Sequence, residues 1–244
     1  YIMEALVEQG RTKNSSPMRI FYNTNFRNLK YKDKDAIDLW SKFEPSVISI
    51  GASLDASGAR GEYIRKGTIW SETVKNRERM KKEVPMIDFN ISCTVSMFNI
   101  LNVVDFYEEM VATKMIGVQD FAVNILMGKH IHRASVLPER YRRQAQQDIE
   151  RLLVRLEGND PLGRVTQTFK SLHQFLEEDY SHLILQSMKE AKELDRFRDE
   201  TLFEAIPELA DIPELVHAYE NAEDLEDKHA TTNYNFAQGE GTVD

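Results

Sequence analysis

Three short stretches combine hydroxyls, amides and a carboxylate at spacings suited to ligand recognition. They are Tyr22-Asn23-Thr24-Asn25, Ala52-Ser53-Leu54-Asp55, and Cys93-Thr94-Val95-Ser96 with Asn99 just beyond. A carboxylate beside a hydroxyl can accept from and donate to vicinal hydroxyls such as those of a ribose, and amides with hydroxyls can hold an amino-acid carboxylate. Any one of these residues also makes an ordinary turn, because Asn, Asp and Ser hydrogen-bond their own backbone. Three such clusters at equivalent places argue for a site. A second constellation, His130-Ile131-His132, would set two imidazoles on one face of an extended segment, as some zinc hydrolases require. No third ligand motif accompanies it, and His173, His182, His217 and His229 stand singly, so a solvent- or substrate-facing loop is the simpler reading. Cys93 is the only cysteine and lies among apolar neighbours, which reads as a small core residue. A single thiol excludes a disulfide within the chain and a Cys-only zinc or iron–sulfur site built from it alone.

Each polar cluster ends an apolar run. The runs are Met18–Asn23, Val47–Leu54 and Ile87–Val95, and a fourth spans Val118–Leu126. Helical patterns lie between them. Asp33–Phe43 carries Ile37, Trp40 and Phe43 on one face, and Thr68–Val84 is stopped by Pro85. Asn102–Met115 stops at Gly117. Strands alternating with helices imply right-handed crossovers and a parallel sheet, in which ligands sit beyond the carboxyl ends of the strands. After Leu126 the pattern turns helical. One stripe runs through Tyr141, Ala145, Ile149, Leu152 and Leu156, ended by Gly158; a second runs through Val165, Phe169, Leu172 and Leu176; a third runs from Leu183 to Leu194. The expected organisation is an α/β unit over residues 1–158, a helical region over 159–209 and an acidic tail over 210–244 that frays. Four strand–helix units are too few for a closed eight-stranded barrel, which takes about 250 residues. The opening Tyr1–Gly10 reads as the end of a helix closed by Gly10, as in a chain whose upstream part is missing.

The formal net charge of −9 argues against general nucleic-acid binding, which depends on neutralising phosphates. The charge is uneven. Lys129–Arg155 is rich in Lys and Arg, which is either a solvated helix face or a patch for an anionic ligand or partner near Arg140, Arg142 and Arg143. No stretch approaches the roughly 20 apolar residues of a membrane span, and no leader is visible. Lone-cysteine usage suits a cytoplasmic setting.

The run Val47-Ile-Ser-Ile-Gly-Ala-Ser-Leu-Asp55, followed by Glu62-Tyr-Ile-Arg-Lys-Gly-Thr-Ile-Trp70, resembles the fourth strand and following helix of radical S-adenosylmethionine enzymes, in particular the group with a twitch-type accessory region. Tyr22-Asn-Thr-Asn25 is similar to that group's third strand, and Ile91-Ser-Cys-Thr-Val-Ser96 with Asn99 to its fifth. Glu193-Leu-Asp-Arg-Phe-Arg198 and Phe203-Glu-Ala-Ile-Pro-Glu-Leu209 are similar to its C-terminal signature. The resemblance implies a partial TIM-type barrel of six strand–helix units, of which this chain keeps about strands three to six, followed by C-terminal helices. It implies that Ser53 and Asp55 face the ribose of S-adenosylmethionine, with Arg65 and Asn99 toward its carboxylate and Asn23, Asn25 and Thr94 around it. The 4Fe–4S cluster of such enzymes is held by a Cys-x3-Cys-x2-Cys motif and followed by a Gly-Gly-Glu motif. Neither is present here, so both would belong to a missing N-terminal part of the same protein. The implied chemistry is reductive cleavage to a 5′-deoxyadenosyl radical acting on an unknown substrate, which could be a peptide, with this chain alone not catalytically competent. The family has Gly directly after Ser-x-Asp, whereas this chain has Ala56 and then Gly58 two residues on. Two other functions fit the residues less well: a non-catalytic binding module using the basic helix face or the acidic tail, and a metal-dependent hydrolase using His130 and His132.

Overall fold

A computed structural model describes residues 2–13 and 18–223. It opens with α1 (Ile2–Glu8), which passes into a turn where Gly10 adopts φ +67°, the left-handed conformation expected of a glycine closing a helix. Strand β1 (Ile20–Thr24) leads to a small hairpin, β2 (Lys30–Tyr31) and β3 (Lys34–Asp35), and then to α2 (Ala36–Trp40). Strand β4 (Ile48–Ala52) is followed by α3 (Gly58–Ile64) and α4 (Trp70–Glu83). Next come β5 (Asp88–Val95), α5 (Val103–Ala112) and β6 (Phe121–Ile125). The rest is helical: α6 (Glu139–Leu156), α7 (Arg164–Phe175), α8 (Ile184–Arg198), the single turn α9 (Leu202–Ala205) and α10 (Pro213–Glu220).

Strands β1, β4, β5 and β6 form one parallel sheet in that order, so each new strand is added beside the last. The register aligns Ile20 with Ile48, Ile50 with Phe89, and Ile91 with Phe121. These residues define one sheet face. On it Ile48, Ile50, Phe89, Ile91, Cys93, Val95 and Phe121 are buried. Phe26 and Trp40 stack over its first half, and Phe106, Tyr107 and Phe169 ring Phe121 over its second. The opposite face is different. It carries Phe21 and Asn23, Ser49 and Gly51, Asp88, Asn90, Ser92 and Thr94, and Ala122 and Asn124, and among the described residues no side chain on it but Gly51 is buried. Parallel sheets normally bury both faces, so an uncovered polar face in this fold needs a reason.

Two expectations are corrected here. The helix read over Asp33–Phe43 begins only at Ala36, because Lys30–Asp35 folds into the hairpin and the Asp35 carboxylate caps the helix by accepting from the Ile37 N–H at 2.9 Å. The short helix α3 was not legible as a helical stripe. The stretch from 210 to 223, expected to fray, instead forms α10 with Ile212, Leu215 and Ala218 buried against the preceding helices; residues 224–244 lie outside the described residues. No helix among the described residues is long and apolar enough to cross a membrane.

Candidate functional site

The carboxyl ends of β4, β5 and β6 meet at a cavity of about 430 Å³. Asp55 comes from the loop after β4, Thr94 and Ser96 from the end of β5, and Leu126 and Lys129 from beyond β6. Arg65 enters from the end of α3, and Glu190 and Arg198 from α8, while His132 and Phe98 close one wall.

Asp55 organises this end of the sheet. It is 5% exposed, and its two oxygens receive Arg65 Nε at 2.7 Å, Arg65 Nη2 at 3.1 Å and the Thr94 N–H at 2.8 Å. The planar guanidinium fork meets the carboxylate edge-on, the geometry that makes such pairs strong. A carboxylate offers about four lone-pair sites; three are taken, so one acceptor position remains. The turn that follows is shaped by two glycines. Gly58 takes φ +55°, and a Cβ on Gly61 would collide with the Ala56 carbonyl oxygen, so the helix α3 packs tightly back onto the loop. The left-handed turn thus occurs at Gly58, and Ala56 is an ordinary buried residue.

The other residues singled out in the sequence divide. Thr94 is in the cavity wall with Asp55 and Arg65. Ser53, half-buried, lies at the end of β4, where its N–H pairs with the Thr24 carbonyl. Asn23 is exposed on the open sheet face, with its Oδ1 against Gly51 so closely that any side chain there would collide with it. Asn25 makes a turn, accepting from the Arg27 N–H at 3.2 Å. Asn99 is 1% exposed and does not line the cavity. Its amide group donates to the carbonyls of Asp55 at 2.8 Å and Thr94 at 3.0 Å and accepts from the Ser96 N–H at 2.8 Å, tying the β4 loop to the β5 loop. Cys93 is buried behind Asp55, and burial, reinforced by the Asp55 charge, pushes its thiol well above the usual range, which makes it unreactive.

His130 and His132 do not act together. They sit in a 3-10 turn, not an extended segment, so residues two apart point to different sides. His130 is exposed and makes a T-shaped contact with Tyr180, whereas His132 is buried and makes a T-shaped contact with Phe98, with ring centroids 5.0 Å apart. Among the described residues no group of three or more His, Cys, Asp and Glu is arranged around a common point. His132 is nevertheless unusual. Its Nε2 is fully buried and has no hydrogen-bond partner, and the nearest carboxylate oxygen, Glu190 Oε1, is 3.7 Å away and paired with Lys129 instead. Burial depresses its pKa to about 4, with Glu190 acting upward and Lys129 downward.

The basic stretch after β6 is largely consumed internally. Arg140 makes a two-pronged pair with Glu214, Arg143 pairs with Glu139, Arg151 with Asp148 and Arg155 with Glu108. Arg142 is buried and donates to the carbonyls of Leu137, Leu176 and Glu178, locking α6 to the end of α7. A second, more apolar groove of about 690 Å³ runs along the free edge of β1, walled by Met3, Tyr22, Leu29, Leu39 and Trp40; the indole N–H of the buried Trp40 has no partner there.

Neither family models, nor curated proteins, nor solved structures give a match to this chain.

Two features of the site are not among the sequence expectations. One is the burial of His132, which nothing in its neighbours signals. The other is the open polar face, although its signal is present: the β5 sequence Asp-Phe-Asn-Ile-Ser-Cys-Thr-Val alternates strictly between polar and apolar residues.

Proposed function

We propose that the chain is the C-terminal part of a radical S-adenosylmethionine enzyme, supplying strands three to six of a partial barrel, part of the cofactor pocket and the substrate side of the reaction. The observation that carries this reading is the pairing of an uncovered polar sheet face with a charged cavity at the strand ends. A sheet whose strands are added sequentially and in parallel, with the described helices on one face, is what an arc of a barrel would present, and this supports the reading. Its other face then looks inward, and small uncharged side chains there (Asn23, Ser49, Asn90, Ser92, Asn124) leave room for a substrate. Asn124 donates to Ser92 Oγ at 2.7 Å, so these groups are held in place before any ligand arrives.

S-adenosylmethionine fits the donor set only in part. Asp55 has one acceptor site left, and Ser53 is half-exposed two residues before it, which suits the ribose. Arg65 reaches a carboxylate only by sharing itself with Asp55, and Asn99 is fully used within the loops. The cluster does not fit this chain, because Cys93 is buried and alone. What the cofactor supplies is abstraction of a hydrogen atom from the substrate. What these residues supply is orientation: Arg65 fixes Asp55, Asp55 and Asn99 fix the two loops, and the polar face aligns the substrate. On this reading an N-terminal part carrying the first two strands would pair with the edge of β1 and cover the apolar groove beside it.

The test is formation of 5′-deoxyadenosine by the parent protein, which must carry an upstream Cys-x3-Cys-x2-Cys. The variants Ser53→Ala and Asp55→Asn are expected to lower that rate at least tenfold with the cluster content unchanged. Wild-type rates in both would remove Ser53 and Asp55 from the cofactor site, and a coding sequence with no upstream cysteine motif would end the reading altogether.

A further inference from the structure

The strand-end cavity contains a charge arrangement that the proposed chemistry does not use. Lys129 and Glu190 form an ion pair across its rim, and the same Glu190 oxygen faces the unpartnered Nε2 of His132 at 3.7 Å. That separation is too long for a hydrogen bond and too short for indifference. A buried ring nitrogen left without a partner is rare and costly, and it asks for an explanation. The ion pair, by contrast, is weakly held: Lys129 is 50% exposed, and solvent-screened pairs of this kind contribute little to stability.

We propose that this cavity binds the oxyanion group of a small ligand at Lys129, and that binding transfers Glu190 from Lys129 to His132, which takes up one proton as it does so. An arriving carboxylate or phosphate-type group competes with Glu190 for the ammonium. Glu190, released from it, lies within a small side-chain rotation of Nε2. A carboxylate there favours the charged imidazolium. The proton comes from solvent, Nε2–H donates to Glu190, and the orphaned nitrogen gains its partner. The other charged groups around the ring are accounted for. Arg198 of α8 lines the same cavity and donates to the Tyr63 carbonyl at 3.1 Å, Arg65 across the cavity is neutralised by Asp55, and Phe98 is an uncharged ring in T-shaped contact with the imidazole. Ligand affinity therefore rises as pH falls, through a residue that need not touch the ligand. This inference stands on the cavity alone and holds whether or not the cofactor is S-adenosylmethionine.

The experiment uses the full chain with sulfate and with formate as probes, which are both essentially fully ionised at pH 5.5 and so carry almost no protons of their own. Calorimetric titration at pH 5.5 in two buffers of different ionisation enthalpy measures the protons taken up, and the His132 ring signals in a proton NMR titration report its midpoint directly. A measurable uptake of a fraction of a proton is expected in the wild type, with the His132 midpoint moved up by about one unit or more. Glu190→Gln should bind the probe without uptake. Lys129→Met should show a raised midpoint with no probe added, and the double variant Lys129→Met with Glu190→Gln should return it. A response to sulfate alone identifies a tetrahedral oxyanion, and a response to formate alone identifies a carboxylate. If neither probe moves the His132 midpoint, or if Glu190→Gln responds as the wild type does, the proposal is wrong.

Discussion

Asp195 joins the helical end of the chain to the sheet, and its removal should be felt across both. Its carboxylate is 4% exposed and accepts from the Tyr63 hydroxyl at 2.8 Å, the Tyr219 hydroxyl at 2.6 Å and the Leu202 N–H at 2.7 Å. Four elements thus converge on one side chain: α3, α8, α9 and α10. A hydrogen bond to a charged group contributes roughly 1.5–3 kcal/mol. Tyr63→Phe, at a 5% exposed ring, should therefore cost about 2 kcal/mol, and Tyr219→Phe, in a wetter place, about 1 kcal/mol. Asp195→Ala would strand two phenols and a backbone donor, a loss of about 4 kcal/mol, which is a large share of the roughly 5–15 kcal/mol that folds a domain. Urea unfolding should be followed by two signals. Trp40 and Trp70 both report on the sheet side, and far-ultraviolet dichroism is dominated by the helices. Coincident curves for the wild type and separated curves for Asp195→Ala are expected, because α8–α10 then melt first. The phenols add an alkaline signature. Burial, followed by the Asp195 hydrogen bond, raises both tyrosine pKa values, so the unfolded chain deprotonates first and stability is lost as pH rises above about 10. Tyr63→Phe should reduce that loss. Changes below about 0.3 kcal/mol in both tyrosine variants would refute the view of Asp195 as a junction.

Two further outcomes follow from the same geometry. His132 has a pKa of about 4 when folded against about 6.5 when unfolded, so its contribution is complete above pH 6.5 and is lost as pH falls through that window. Between pH 7 and 4.5 this amounts to about 2.5 kcal/mol, and His132→Gln should remove that part of the acid sensitivity in paired urea titrations. Gly61→Ala forces a Cβ into the Ala56 carbonyl oxygen, which belongs to the backbone and cannot step aside. A loss of about 1–3 kcal/mol is expected by thermal unfolding, whereas Gly128→Ala, where a Cβ meets nothing, should cost far less.

The strands were legible because each is an apolar run that a buried sheet face demands, and the observed bounds fall within or one residue beyond the expected ones. The helices α4 to α8 were legible from their stripes. What was lost has identifiable causes. Lys30–Asp35 is charged at every position but Tyr31, with no apolar alternation to mark a hairpin, and its turn uses a non-glycine residue, Lys32, at φ +57°. The α3 sequence Gly-Ala-Arg-Gly-Glu-Tyr-Ile contains two poor helix formers, and packing, not propensity, makes it helical. Acidic composition hid α10, whose Ile212 and Leu215 are enough to anchor it. In the site, polar side chains at strand ends were found, but their allegiance was not. Asn99 and Asp55 carry the same donor and acceptor types whether they hold a ligand or hold two loops together, and only distances distinguish the two. Arg142 and Arg140 are two residues apart in a basic run, yet one is a buried carbonyl clamp and the other an exposed ion pair.

The sheet described above is open on one face and, among the described residues, has edge strands at both ends, β1 and β6, and this sets a gradient in time as well as in space. β5 lies between two partners, with its amides bonded into parallel ladders, whereas β1 has, among the described residues, a neighbour on one side only, and its Phe21 is 79% exposed. Local opening at Ile20–Thr24 therefore needs only a small excursion, while exposure of Asn90–Thr94 requires most of the core to part. Under native conditions the amides of the first strand should trade deuterium in the regime of local fluctuation, and those of the third in the regime of global unfolding. Whatever seats itself along that first strand will slow the faster class toward the slower one, so occupancy of the edge can be read as a clock.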